Sequence, residues 1–364
     1  MKQTLLQTLT LVALCCALPA GASAKQPRTD PVWDKWSVGC GNSGLCFTST
    51  FIREQSTWLD LRIVRDTPAN AAPLLRITAN AALNNEGTIR FDVDGTSIET
   101  LPVAQLREIQ ASVATPAGFR PLGGEGFWYP TGPATSAILK AMASGKVLTV
   151  SLPIGDQTIE MKLPLNGLAS AVSWLDDRQN RSGTVSAIAD IGTEPAEDAP
   201  SAKPILSPET LPPAVLATWD ANRFCSDIDP AIFASLNAVA IPAGDDKATL
   251  YLLPCGAPSA YNTPYVLIRA QDDGKVRQLH VARMSELGPL ATDLVYNARW
   301  NARDLELDGL FKGSGVGDCG TWSRWLWTGT TFVLQEEATR QTCDGQEVPI
   351  SDWPTTWTVP ATSK

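Results

Sequence analysis

The stretch VLTVSLPIGDQTIEMKL (Val147–Leu163) sets two short runs, Val147–Ile154 and Thr158–Leu163, on either side of Gly155-Asp156. Val, Ile and Thr suit a pleated, half-buried surface, and the Gly-Asp joint turns the chain back on itself, so the stretch predicts an antiparallel hairpin. Working outward toward the N-terminus, alternating runs at Trp36–Gly39, Cys46–Arg53, Trp58–Arg65, Leu74–Ala79 and Thr88–Val93 each predict a strand. Turns at Asn84–Gly87 and Asp94-Gly95 separate them. Two helices flank the hairpin: Thr135–Ser144, closed by Gly145, and Leu168–Arg178, whose apolar residues 168, 171, 172 and 175 share one face.

Further on, TEPAEDAPSAKPILSPETLPP (Thr193–Pro213) carries six prolines and several acids, which predicts an extended, semi-rigid tether without a packed core. Beyond it, Ala231–Ala240 is helix-compatible. Strands are expected at Ala248–Leu253, Tyr265–Ala270, Val276–Ala282, Asp293–Ala298, Asp304–Phe311, Ser323–Trp327 and Thr331–Gln335. Asp272-Asp273-Gly274 and Thr328-Gly329-Thr330 read as compact hairpin turns. The fold class expected is therefore mainly β. Two antiparallel β-sandwich or barrel-like domains, 25–192 with two helices and 214–364, are joined by a Pro-rich linker, 193–213.

Residues 1–24 read as a secretory leader. Lys2 supplies positive charge, Leu5–Leu18 an apolar run too short for a spanning helix, and Ala22-Ser23-Ala24 a small-x-small cleavage site. Cys15 and Cys16 lack the small residue that a lipobox places before its cysteine. Export, most simply to the periplasm, follows, and no later stretch is apolar enough to predict a membrane span. The chain of 364 residues has a net charge of −9 and a pI near 4.8. No basic stripe is present to neutralise phosphates, which argues against nucleic acid.

In an oxidising compartment the six cysteines left after the leader imply three disulfides. Spacing selects Cys40–Cys46 across a strand–turn–strand joint, Cys319–Cys343 flanking a hairpin, and Cys225–Cys255. The lack of C-x-x-C pairs, with no His beside any Cys, argues against zinc, and the sequence predicts neither metal nor cofactor.

Several residues in the second half carry a resemblance. Cys255-Gly256, Ala260-Tyr261-Asn262 and Pro264-Tyr265 are followed by Gly313-x-Gly315-x-Gly317-Asp318-Cys319-Gly320. Then come Trp325-x-Trp327-x-Gly329, Phe332-x-Leu334 and Cys343-x-Gly345. With the opening Trp36-x-Val38-x-Cys40 and Cys46, this order resembles the DUF1176 family of exported proteobacterial proteins of unknown function. The chain departs from that pattern at Ala257-Pro258-Ser259, which lengthens the joint before Tyr261. The first half is also distantly similar to the invasion-associated locus B family, through the same opening, Ser144-Gly145-Lys146 and Leu163–Leu168. That likeness implies a small periplasmic or surface β domain linked to host interaction. Neither resemblance supplies an active site.

The remaining motifs read more readily as structure than as chemistry. GSGVGDCG (Gly313–Gly320) is neither a P-loop nor a dinucleotide fingerprint; its glycines suit positive φ and close packing around a half-cystine, with Asp318 capping the turn. His280 is the lone histidine, and no G-x-S-x-G accompanies it; Ser285 and Asp293 are neighbours in sequence only. The pairs Asp227/Asp229, Asp245/Asp246 and Asp272/Asp273 read as solvated turns, since none fits a calcium loop. Trp322, Trp325 and Trp327 read either as an aromatic platform with Arg324 nearby or as a tryptophan core packed on the 319–343 disulfide, the core reading being favoured.

The function expected is a noncatalytic exported envelope protein. It would bind a protein or glycan partner through an aromatic–polar surface of Tyr261, Asn262, Trp322, Arg324 and Trp325. Competing readings are an envelope hydrolase with carboxylates that converge on folding, and a purely structural envelope component.

Overall fold

Ten strands of the first half form two antiparallel sheets in the computed structural model, which describes residues 27–54, 56–110, 115–116, 119, 123–129, 131–222, 224–244 and 247–359. The leader and Asp245-Asp246 lie outside the described residues. One sheet runs in the order β1 (Val32–Trp33), β2 (Trp36–Cys40), β3 (Cys46–Glu54), β4 (Thr57–Arg65), β5 (Leu74–Ala79) and β8 (Glu125–Tyr129). The other is ordered β10 (Gln157–Pro164), β9 (Val147–Ile154), β6 (Thr88–Val93) and β7 (Thr96–Pro102). The predicted hairpin is present, with Gln157 opposite Ile154 and Pro164 opposite Val147. Its Leu148, Val150, Leu152, Met161 and Leu163 share one core with Leu59, Leu61 and Ile63 of β4.

Among the described residues three helices complete this half: α1 (Val103–Gln110), α2 (Pro133–Ser144) and α3 (Leu168–Arg178). Helix α3 buries Leu168, Ala171, Val172 and Leu175, the face that the spacing predicts. Helix α1 is an addition. Val103, Leu106 and Ile109 recur every third residue, a helical signal in a stretch that otherwise looks like strand and turn.

In the second half one sheet comprises β11 (Lys203–Pro204), β12 (Val239–Pro242), β13 (Thr249–Pro254), β14 (Pro264–Ala270) and β15 (Val276–Leu279), with β18 (Val295–Tyr296) also paired to β14. The strands β16 (Val281–Ser285) and β17 (Gly288–Thr292) make a separate hairpin. The last sheet is ordered β19 (Arg299–Asn301), β20 (Glu306–Lys312), β21 (Gly320–Trp327), β22 (Phe332–Arg340) and β23 (Thr355–Thr358).

Strands β13 and β14 are buried on both faces. Leu250, Leu252 and Leu267 pack with Trp300, Trp325 and Trp327, whereas Leu253, Val266 and Ile268 pack with Val215, Trp219 and Phe233 from α4 (Pro213–Asp220) and α5 (Pro230–Phe233). A strand covered on both sides needs no polar alternation, which is why these read as continuous apolar runs. The architecture is mainly β with antiparallel sheets, none of them closed into a barrel. The helix expected over 231–240 ends after α5, because Val239 enters β12; the strand expected over 276–282 breaks at His280.

The proline-rich segment differs most from expectation. It is extended as expected, but its apolar residues are packed and its amides hydrogen-bonded. The Ala199 amide donates to the Thr67 carbonyl at 2.8 Å and the Ala202 amide to Ser43 at 3.2 Å, both in the first half. Lys203–Pro204 then pairs with β12, and Ile205 and Leu211 are buried in the second half's core. Proline lacks only its own N–H; the apolar residues between the prolines remain free to pack. Pro213 itself starts α4, at a helical position where no N–H is needed.

The three predicted disulfides are all formed: Cys40–Cys46, Cys225–Cys255 and Cys319–Cys343. The first closes a loop that reaches into the second half. There the Asn42 amide accepts from the Trp300 backbone N–H at 2.8 Å and donates to the Asn237 carbonyl at 2.9 Å. Gly44 adopts φ +91° in that loop, where an added Cβ would lie 2.6 Å from the Pro200 carbonyl, so glycine lets loop and linker touch. Ion pairs Arg178–Asp304 at 2.8 Å and Arg303–Asp177 at 2.7 Å join the halves alongside.

Candidate functional site

The residues around Tyr261 are arranged by two asparagines. The Asn262 side chain donates to the Lys312 carbonyl at 2.8 Å and accepts from the Lys312 N–H at 3.0 Å, so it pairs like a strand residue with the end of β20. Asn297, in the left-handed region with φ 46°, donates to the carbonyls of Tyr261 and Leu310 and to Asn262 Oδ1, at 2.9–3.1 Å. Asn tolerates this backbone conformation better than most side chains, and here its amide ties three segments together. Asn262 is only 7 % exposed, while Tyr261 stands 37 % exposed beside it.

The same clamp brings Tyr296 and Phe311 to this edge as an edge-to-face pair with centroids 5.1 Å apart. Loop 313–320 passes close by: a Cβ on Gly315 would meet the Tyr261 ring at 3.6 Å, and the next residue, Val316, is 65 % exposed. Tyr261 and the 315–316 segment thus stand side by side at the surface, and the Tyr296–Phe311 pair lies on strand ends that Asn262 and Asn297 hold to the same hydrogen-bonded base. The sequence singles out Tyr261 and Asn262; Asn297, which bonds to both, and the neighbouring Tyr296 and Phe311 carry no local sign of this arrangement.

Asp318 organises the glycine loop as a cap. Its carboxylate accepts from the Ser314 hydroxyl and, at 2.6 Å, from the Gly345 N–H, while its carbonyl accepts from Arg340. Gly320 follows with φ +141°, where an added Cβ would lie 1.9 Å from the Phe311 carbonyl. Asp318 Oδ also lies within 4.8 Å of the Cys319 and Cys343 sulfurs, but these are bonded to each other and offer no thiolate to a metal. The Ser314 and Gly345 hydrogen bonds hold the Asp318 carboxyl below its usual 3.8. A depressed carboxylate stabilises the fold above its unfolded value, and that stabilisation is lost as pH falls through the folded value. The protection of the Gly345 amide, its exchange rate measured against the intrinsic rate at each pH, is therefore expected to fall on acidification below about pH 4. In Asp318→Asn that protection should be lower from the start and show no acid step.

The tryptophans occupy other surroundings. Trp322 and Trp325 are each 2 % exposed and fall on opposite faces of β21. Trp325 lies between the two sheets and donates to the Ala282 carbonyl at 2.6 Å. Trp322, inside the strand rather than before it, packs with Ala338 and Trp353 and faces the guanidiniums of Arg324 and Arg28 at 5.0 and 5.6 Å. Arg324 is buried and bonded to Asp308 at 2.7 Å. Of the five residues singled out in the sequence, Tyr261 alone presents its side chain widely to solvent. Trp322, Arg324 and Trp325 are buried.

The other candidates resolve as structure. His280 is exposed at the break between β15 and β16, and Ser285 caps its own hairpin by donating to the Gly288 carbonyl at 2.8 Å. Asp229 caps α5, and Asp273 pairs with Lys275 in its turn. Acids do converge in a cleft of about 60 Å³ between the halves, lined by Asp30, Glu306 and Asp308. Each meets a guanidinium there: Asp30 and Asp308 meet Arg299, and Asp308 and Glu306 meet Arg324. Burial raises the Glu306 carboxyl above its ordinary range, against the pull of Arg324. The volume suits a few waters.

A family model described as "Protein of unknown function (DUF1176)" matches residues 31–360, nearly the whole described chain. The chain belongs to the DUF1176 family. The match spans both halves and the segment between them, so one DUF1176 unit includes the Cys40–Cys46 loop and the Tyr261 edge together. The chain is 26 % identical over 346 residues to "Uncharacterized protein YpfG" of Escherichia coli (strain K12), covering 88 % of this chain and 90 % of that relative. It is also similar to the crystal structure of invasion associated protein b from Bartonella henselae, at 18 % identity and a TM-score of 0.30. That comparison covers 42 % of this chain and 99 % of the other. Among the described residues, no helix of this DUF1176 protein is long and apolar enough to cross a membrane.

Proposed function

We propose that this DUF1176 protein is an exported, noncatalytic binding protein of the envelope that takes a protein or glycan partner on the edge formed by Tyr261, Tyr296, Phe311 and Val316. The observation that carries the reading is the construction of that edge. Exposed aromatic and aliphatic side chains stand on a base tied by Asn262, Asn297 and the Cys319–Cys343 disulfide. A surface ordered in advance loses little entropy on binding, and tyrosine supplies both a ring for stacking and a hydroxyl for hydrogen bonds. Export is supported by the leader signature together with three disulfides, which persist where the medium is oxidising.

Capture from an envelope extract tests the proposal. The mature protein is expected to retain a saturable partner that a Tyr261→Ala/Val316→Ser variant, equally folded, fails to retain. Capture of nothing by the wild type, followed by turnover of a glycan or peptide substrate, would replace binding with hydrolysis.

A further inference from the structure

The first described residues of the chain fill a pocket in the second half. Arg28 Nε and Nη2 donate to Glu336 Oε1 at 2.9 and 2.5 Å. Nη1 donates to the Trp353 and Ile350 carbonyls at 2.7 and 3.1 Å, and Nη2 also reaches the Thr355 hydroxyl. The guanidinium lies 5.6 Å from the Trp322 ring centroid. Glu336 is 2 % exposed, so a carboxylate at the base of this pocket is built into the sheet more than 300 positions along the chain from its partner. Planar donors meeting a carboxylate, carbonyls and an aromatic ring make a site specific for guanidinium rather than for positive charge in general.

The segment that delivers Arg28 is held mainly by side chains. Its ladder pairing begins only at Val32, and before it the Pro27 carbonyl accepts from Arg324 at 3.1 Å while Asp30 meets Arg299. A short end segment so attached can leave by rotation about a few bonds, without breaking a sheet.

We propose that Trp322, Glu336, Thr355 and the 350–353 carbonyls form an exchangeable arginine-peptide site. Residues 27–30 fill it in the resting protein, and an arginine-bearing extended segment of another protein fills it when they leave. The site uses residues other than the Tyr261 edge, so it stands or falls separately from the binding role proposed there. It turns the beginning of the mature chain into a competitor for an incoming peptide, which lowers the apparent affinity by the fraction of sites already filled.

The test uses the full mature chain carrying Arg28→Ala and the peptide KQPRTD, the chain's own residues 25–30, followed by titration calorimetry. Arg28→Ala is expected to bind this peptide saturably and at least about tenfold more tightly than the wild type does. It should not bind KQPATD, and Arg28→Ala/Glu336→Gln should lose the binding. Should Arg28→Ala fail to fold, Arg28→Lys keeps the charge but loses the fork geometry, and the peptide should then displace the resident lysine more readily than it displaces Arg28. Equal binding of KQPRTD and KQPATD, or no binding by a folded variant, overturns the proposal. Exchange of the segment between two copies, seen as a wild-type dimer that Arg28→Ala does not form, would also overturn it by making the occupant a second copy of this chain.

Discussion

Asp176→Ala is expected to destabilise the protein by about 3–5 kcal/mol in denaturant unfolding, because it strips the partner from buried cations. Asp176 is 1 % exposed. It meets Arg65 at 3.4 Å and accepts the backbone N–H groups of Ile188 and Ala189, each at 2.8 Å. Burial, with Arg181 nearby, pushes the Arg65 guanidinium down to about 10, so it is still charged at neutral pH. Arg181 is fully buried and spends its donors on the carbonyls of Asp66, Thr67, Pro68 and Ala69. Removing Asp176 leaves the Arg65 guanidinium without its carboxylate beside Arg181, which keeps Asp66 and Asp198 nearby, and leaves two amides without an acceptor. Asp176→Asn keeps an acceptor for the amides but not the charge, so its loss should be smaller. An unfolding midpoint unchanged in Asp176→Ala would show that the cluster does not depend on its carboxylate.

Trp325→Ala is expected to cost a similar amount, about 3–5 kcal/mol, as the price of a cavity between the two sheets of the second half. The indole passes over Gly309, where an added Cβ would approach it to 3.1 Å, and its N–H reaches the Ala282 carbonyl. Calorimetry of the mature protein reads this loss as a lowered midpoint. A Trp325→Ala variant that melts normally but loses a partner would restore Trp325 to the binding surface.

How much could be read in advance depended on whether a residue's role is local. The hairpin at Val147–Leu163, the apolar face of α3 and the three disulfides rest on spacings within a few dozen residues, and each is present as read. Buried on both faces, β13 and β14 were still recognisable as strands, but nothing in their apolar runs showed the layer of helices beyond. Proline content suggests an extended, semi-rigid tether without a packed core, because composition counts missing donors and overlooks Ala202, Ile205 and Leu211, which pack. For the site, Tyr261 and Asn262 are visible in the sequence as part of an aromatic–polar surface. Asn297, 35 positions away, which locks them to β20, gave no local sign of its role. The tryptophans were visible as a cluster, yet their burial follows from sheets that close over them and from Arg28, which no local pattern links to Trp322.

The central claim is that the exposed edge binds while the buried residues beneath it only build. It is tested most directly by titrating the captured partner against wild type and Tyr261→Ala, with a thermal melt of each. The account predicts at least ~10-fold weaker binding with the melting midpoint essentially unchanged, as for a hot-spot tyrosine on a preformed surface. Equal affinity in both proteins would contradict it.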